Sequence, residues 1–231
     1  WTVYANAGKS FRPNTGSDAA GNAFDPEKAR AFELGAKWES ADQRLGATAA
    51  LFDITKRNVL TSDPVNSGYS VAAGEVRSRG LELDVAGRLT ANWRLNASLV
   101  FNDVEITRDN SLEVGGRLLN VPKVNGSVLA VYEDALASGQ RYGVGGGVTY
   151  MGKRLGQART QAEANAGTAA FDLPSYTTAK LLAYWRLSPT INLTLDVDNL
   201  FDKVHYTSSY SRVWVTPGAL RTVTVGLQAK F

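Results

Sequence analysis

The chain has 231 residues, with 25 Lys and Arg against 22 Asp and Glu for a net charge of +3. It has no Cys, which excludes a disulfide framework and any thiolate ligand or nucleophile, and its single His argues against a His-based metal site or a Ser-His-Asp relay. The small cationic surplus holds no basic block that would support nucleic-acid binding. Apolar runs such as Val128–Tyr132 and Leu181–Trp185 fall far short of the ~18 residues of a membrane helix.

Alternation at period two dominates the chain and predicts strands almost throughout. The first spans 1–9. In the second, 28–39, Phe32, Leu34, Ala36 and Trp38 oppose Glu33, Gly35 and Lys37. A third spans 43–56. In the fourth, 74–89, Leu81, Leu83 and Val85 oppose Glu82 and Asp84. The fifth, 91–107, sets Trp93, Leu95, Ala97, Leu99 and Phe101 against Arg94, Asn96 and Ser98. A sixth covers 117–133. In the seventh, 139–153, Tyr142, Val144, Gly146, Val148 and Tyr150 share one face. The eighth is 175–188. The ninth, 190–202, has Ile191, Leu193, Leu195 and Val197 opposite Asn192, Thr194 and Asp196. The tenth, 219–231, has Val223, Val225, Leu227, Ala229 and Phe231 opposite Thr222, Thr224, Gly226, Gln228 and Lys230.

The connections sharpen this reading. Glu39–Gln43, Leu89–Ala91, Glu133–Gly139 and Leu187–Thr190 are short, whereas 10–27, 57–73, 108–116, 154–174 and 203–218 are longer, and the two kinds alternate. Every long loop is thereby placed at one end of the sheet and every tight turn at the other. Bacterial outer-membrane barrels have this asymmetry, with short periplasmic turns and longer extracellular loops. Strand lengths suit the ~9–11 residues a tilted strand needs to cross the hydrocarbon. Aromatics near the ends of the apolar stripes, such as Tyr142 and Tyr150, suit interfacial girdles. The expected class is all-β, a transmembrane antiparallel up-and-down barrel, with Phe231 on the periplasmic side.

Several segments, in order, resemble the C-terminal half of TonB-dependent outer-membrane receptors, especially ferric-siderophore receptors. They are Tyr4–Pro13 with its Phe-Arg-Pro ending, Pro26–Trp38 with Phe-Glu-Leu-Gly, Ala50–Val59, Gly74–Asp84 with Ser-Arg-Gly, Val121-Pro-Lys123, Asp198–Lys203 with Asn-Leu-Phe-Asp-Lys, and the terminal Thr222–Phe231 strand. The resemblance implies a barrel of roughly 22 strands around a globular plug, of which residues 1–231 would be about the last ten strands. Signal peptide, plug, remaining strands and the N-terminal box that engages the TonB inner-membrane complex would lie outside this chain. It also implies a ferric siderophore as transported ligand, no covalently bound cofactor, contact with outer-membrane lipid and lipopolysaccharide, and no catalysis.

The candidate chemistry follows. Gly143–Gly147 superficially resembles a phosphate-binding loop, but no Lys-Ser/Thr or helix follows it. Its inward glycines suit either close approach of a plug or strand coiling. Asp196, Asp198 and Asp202 could be hard-cation ligands or members of an ion pair. Glu82 and Asp84 with Arg77 and Arg79 read as charge pairing on the lumen wall, although Arg77 shares the parity of Leu81, which implies a bulge or a position above the membrane. His205 is the residue a barrel-embedded hydrolase would use, and a self-contained translocator barrel is another alternative. The loops carry the stronger signal: Arg12, Tyr69, Arg154, Arg159, Phe171, Tyr206, Tyr210, Arg212 and Trp214 combine aromatic faces with positive charge, which suits an anionic, partly aromatic chelate. Tyr206, Tyr210, Arg212 and Trp214 on the last long loop lead this group.

Overall fold

The computed structural model describes residues 1–230. Ten long strands form one antiparallel sheet in which each main strand pairs with the next: β1 (Thr2–Arg12), β2 (Glu27–Glu39), β3 (Leu45–Ser62), β4 (Ser70–Arg88), β5 (Trp93–Arg108), β6 (Val124–Ala135), β7 (Arg141–Met151), β10 (Tyr176–Arg186), β11 (Ile191–Asp198) and β14 (Thr222–Ala229). Two short ladders sit in the loops, β8 (Arg154–Leu155) with β9 (Asp172–Leu173) and β12 (Tyr206–Ser211) with β13 (Trp214–Pro217), beside one helical turn, α1 (Gln161–Asn165). The expected position of Phe231 lies outside the described residues.

Register joins the alternating residues into one apolar stripe across the sheet. It runs through Ala5 opposite Leu34, Leu34 opposite Leu51, Leu51 opposite Leu81 and Leu81 opposite Phe101. It continues through Ala97 opposite Val128, Val128 opposite Val148, Ala183 opposite Leu195 and Leu195 opposite Val225. These side chains stay uncovered: Leu51 is 56% and Val225 is 74% exposed. An apolar face that large suits lipid and not water. Trp93, Tyr132, Tyr142 and Trp185 sit together near the turn end of the stripe, with Trp93 and Tyr132 edge-on at 5.4 Å, where an interfacial girdle belongs.

The tight turns are built by short polar side chains that bond nearby amides. In the turn 40–44 the Ser40 Oγ accepts from the amides of Arg44 and Leu45, and Asp42 accepts from the Arg44 amide and the Ser40 hydroxyl. The Ser40 hydroxyl, followed by the Arg44 amide and guanidinium, holds the Asp42 carboxyl down at about 2. Thr90 and Ser188 accept the same kind of bond in the turns 89–92 and 187–190.

Four strand boundaries differ most from expectation, each for a local reason. The third and fourth strands do not stop near 56 and 74. The ladder shifts register around Val59, where Asn58 takes φ 59°, and then resumes to Ser62 and Ser70. A bulge ends the alternation without ending the hydrogen bonding. The sixth strand begins at Val124 instead of 117, because Asn120 (φ 62°) turns the chain and Pro122 has no amide; only isolated bridges involve Arg117, Leu119 and Pro122. The ninth ends at Asp198, since Asn199 and Asp202 both take positive φ.

Side-chain pairing on the two faces corrects another expectation. Arg77 bonds Asp53, with its Nε 3.1 Å from Oδ1, and Arg79 pairs with Asp103 at 3.3 Å, all on the lipid-side parity beyond the stripe. Glu82 and Asp84 point to the opposite face and pair with neither. Asp196 and Asp198 share Lys180 at 3.4 and 3.1 Å, the ion-pair reading of that cluster. Gly143–Gly147 is regular strand within β7. A Cβ at Gly143 would enter the ring of Tyr184, its cross-strand partner, just as Gly35 faces Tyr4 and Gly80 faces Phe52. The space over Gly143 is filled by the sheet's own aromatic.

Gly80 and Gly146 give a paired test. A Cβ at Gly80 overlaps the Phe101 carbonyl oxygen as well as the Phe52 ring, whereas at Gly146 the nearest atom is 3.5 Å away. Gly80→Ala is expected to lower the yield of folded barrel severalfold and Gly146→Ala to leave it unchanged, read by heat-modifiable mobility in gels of the refolded protein.

Candidate functional site

The long-loop end carries the densest polar organisation. In loop 109–123, Asp109 caps its own turn by accepting from the amides of Ser111 and Leu112 and from the Thr61 hydroxyl at 2.8 Å. Burial works against the Asp109 carboxylate, but these donors still hold its pKa below the ordinary range. Asn120, at the turn that ends the loop, donates to the Ser209 carbonyl at 2.8 Å and accepts from the Ser209 amide at 2.9 Å, so one side chain docks β12.

Loop 152–175 is fastened on both sides. Arg159 makes a two-pronged pair with Glu113, Nε to Oε2 at 2.7 Å, while the Glu113 amide donates to the Arg159 carbonyl at 2.9 Å. Asp172 takes Arg117 at 2.6 Å and Lys153 at 2.9 Å. The Arg159 guanidinium holds the Glu113 carboxyl below its usual range. At Asp172 burial pushes upward, and Lys153 and Arg117 prevail to lower it. The helix α1 forms because Thr160 and Glu163 make a reciprocal capping box.

The last loop, 199–221, is closed at its base by Asn199. Its amide donates to the carbonyls of Lys203 and Ala219 at 2.9 and 3.0 Å and its oxygen accepts from the Lys203 amide, so both ends of the loop are held by one buried side chain. That is the physical content of the Asn-Leu-Phe-Asp-Lys segment.

Against this frame the expected ligand residues separate into groups. Arg154 is only 2% exposed; it donates to the carbonyls of Tyr206 and Thr207 at 2.6 and 2.9 Å and lies 5.4 Å over the Tyr176 ring. Its guanidinium joins two loops, and its Nε has no hydrogen-bond partner among the described residues. Arg159 is held by Glu113. Arg212 donates to the Ala169 carbonyl at 2.9 Å and sits over Phe171 at 5.8 Å. Tyr210 and Trp214 meet edge-on at 6.3 Å and are 74% and 70% exposed, with Tyr206 on the same hairpin. Arg12 pairs instead with Glu27 at 2.9 Å, and Tyr69 stands exposed in the turn 63–69. Neither makes a hydrogen bond or ring contact with the hairpin group. His205 packs on Tyr176 with centroids 4.4 Å apart, its Nδ1 lies 3.0 Å from the Lys203 carbonyl, and Gly218 abuts its ring. This is a packing role at the base of the hairpin. Asn120, Asn199, Glu113 and Asp172, which tie the loops, were not among the expected residues. An Asn ahead of a Pro, as at 120 and 122, is the local signal for the first of them.

Residues 1–200 match the family described as TonB dependent receptor-like, beta-barrel. The chain belongs to the TonB-dependent receptors. Among its relatives, the metal-pseudopaline receptor CntO of Pseudomonas aeruginosa is 44% identical over 99% of this chain and 31% of its own length. The ferrichrome outer membrane transporter/phage receptor of Escherichia coli is 32% identical over 100% of this chain and 30% of its own. The siderophore receptor PiuA from Acinetobacter baumannii superposes with a TM-score of 0.81 at 25% identity, over 99% of this chain and 34% of PiuA. The chain thus spans about a third of the length of these relatives. As a member of this family it is an outer-membrane β-barrel segment, and the uncovered stripe is its lipid face. The self-contained translocator barrel is thereby set aside.

Two outcomes follow for a TonB-dependent receptor whose loops are tied this way. Glu113 and Asp172 have lowered pKa values in the folded state, so their ties contribute stability above the unfolded-state values of ~4 and lose it as pH falls through the folded values. Amide protection in 109–123 and 152–175, corrected for the intrinsic exchange rate, is expected to fall as pH drops from about 4 through the folded values while the strands stay protected. Arg154→Met leaves the Tyr206 and Thr207 carbonyls without their donor, at about 2–4 kcal/mol. Hydrogen exchange should show 206–217 opening with the main sheet unchanged; equal protection in the variant would remove the anchoring role.

Proposed function

We propose that this chain supplies part of the barrel wall and five of the extracellular loops of a receptor that takes up a ferric siderophore or a closely related metal chelate. In the whole receptor the loops would bind the chelate outside, and a plug, driven by the TonB inner-membrane complex, would gate its passage inward. Within this chain no bond is made or broken; selectivity comes from contact.

The exposed Tyr210–Trp214 pair, held on a hairpin whose base is fixed by Asn120, Arg154 and Asn199, carries this reading. Ordered aromatic faces bind a rigid chelate without first losing their own rotamer freedom. Arg212, next to them and over Phe171, would supply positive charge to an anionic chelate. Tyr206 stands beside this group, and Arg154 would act through the hairpin's position. Arg12 and Tyr69 would contact a ligand only from the far side of the vestibule.

A chelate of a metal other than iron is a second form of the same reading, favoured by the 44% identity to a receptor named for metal-pseudopaline. Titration of the intact receptor, followed by Trp fluorescence, with ferric hydroxamate, ferric catecholate and carboxylate-rich chelates of iron, nickel and zinc distinguishes the two. Trp214→Ala and Tyr210→Ala are each expected to weaken binding about tenfold, with folded yield unchanged, in line with ~1–2 kcal/mol for an aromatic contact. Absence of affinity for every chelate overturns the reading.

A further inference from the structure

At the short-turn end of the inner face, two pairs of arginines stand directly opposite each other on neighbouring strands. Arg88 on β4 faces Arg94 on β5, and Arg141 on β7 faces Arg186 on β10. Each shares the parity of Glu82 and Asp84, opposite to the stripe residues Leu95, Tyr142 and Trp185 beside them. Like charges directly opposite destabilise a sheet. The first pair is relieved by Glu133 on β6, whose Oε2 lies 2.9 Å from Arg88 and whose Oε1 lies 3.1 Å from Arg94. Arg141 and Arg186 are exposed and have no carboxylate partner among the described residues. Asp134, next along the chain, accepts from the Tyr132 hydroxyl on the outer side. Farther from the turns the same face is matched, with Lys180 shared by Asp196 and Asp198. Every strand from β4 to β10 in the sheet has both neighbours within this chain, so the imbalance does not come from an open edge.

The four arginines and Glu133 line one concavity of about 320 Å³. Tyr184 forms its floor: it lies across Gly143, donates to Glu133 at 2.7 Å and carries Arg186 6.0 Å over its ring. One hydroxyl and two guanidiniums thus occupy the Glu133 oxygens, and none is left for Arg141 and Arg186. Two adjacent guanidiniums without a counter-charge suit a carboxylate, which each can grip through parallel N–H donors. Their exposure keeps such a site weak. A station on a path requires that, since a ligand must be able to leave it as well as enter.

We propose that Arg141 and Arg186, assisted by Arg94, form a carboxylate-binding site at the periplasmic mouth of the lumen, where an anionic chelate is held as it leaves the barrel. The inference rests on the chelate-receptor reading and extends it from capture outside to release inside.

The test uses the intact receptor and has two arms. In the first, a dye on Ser138→Cys, exposed in the adjacent turn 136–140, reports the local anion concentration without any chelate. Relative to free dye, iodide is expected to quench it about threefold more strongly than neutral acrylamide, because fixed cations concentrate anions beside them. Millimolar tricarballylate should relieve that excess, and Arg141→Gln with Arg186→Gln should abolish it. Equal quenching by iodide and acrylamide without the Gln substitutions, or no relief by tricarballylate, overturns the site. In the second arm, the chelate that the receptor binds is followed into cells. The double variant is expected to slow uptake about tenfold, the order of one charge-assisted hydrogen bond, with surface binding and heat-modifiable mobility unchanged. Arg141→Lys with Arg186→Lys should restore most of the rate. Unchanged uptake by the folded Gln variant overturns the exit role while leaving the chelate reading intact, whereas absence of surface binding in the wild type overturns that reading itself. Entry of a large antibiotic through the Gln variant would make a resident acidic polypeptide the partner of these arginines and overturn the chelate as occupant.

Discussion

Hydrocarbon offers no hydrogen bonds, so every backbone amide and carbonyl of a spanning segment must find its partner in the next strand. The rest of this architecture depends on that constraint. It requires the main strands to follow one another as neighbours, from β1 through β14, and it fixes their register. A slip of one residue would turn Leu34, Leu51, Leu81 and Phe101 inward together and bring Glu33 and Glu82 to the lipid. The stripe is therefore a collective property of ten strands that no single strand holds by itself. Few side chains are buried in the usual sense, and Ala50 and Val131 are exceptions in the wall. The lipid takes the place of a core.

Alternation located all ten main strands because lipid on one side and lumen on the other impose period two on every one of them. Where that pressure ends, the pattern ends too. Residues 59–62 and 70–73 remain hydrogen-bonded strand above the membrane, but Asn58 shifts the phase and neither face there needs to be apolar. Arg117–Lys123 was expected to open the sixth strand and is irregular, since Asn120 and Pro122 deny it a ladder. The Arg77 and Arg79 pairing was misjudged for a related reason. Their partners Asp53 and Asp103 are reached across strands on the outer face, whereas Glu82 and Asp84, nearer in sequence, point the other way.

At the loop end the physics changes from register to individual side chains. Asn120, Arg154, Asn199 and Asp109 each bond to main-chain groups of a distant or turning segment. Such bonds are strong when the side chain is buried and have no periodic trace. The list of Arg and aromatic loop residues was legible by type, but type alone does not separate Arg154, whose buried guanidinium faces two carbonyls, from the exposed Arg212, which lies over the half-buried Phe171 ring. Burial divides them. The charged residue that sequence favours for a ligand can be the one that holds the vestibule in shape.

That division bears on how specificity could change within this fold. A hairpin fastened at its base by Asn199 and at its flank by Arg154 and Asn120 can exchange its tip without loosening the barrel, because among the described residues the hydrogen bonds from the tip, 210–214, to other loops are those of Arg212 alone. Tyr210, Val213 and Trp214 are free of packing duties; Val213 is 96% exposed. Substitution there alters a contact surface while leaving the bonds that order it in place. The anchors are the reverse: their side chains meet backbone, so their replacement costs order whatever the ligand. Relatives that take different chelates on one barrel would then differ most at the positions corresponding to 210–214 and least at 120, 154 and 199.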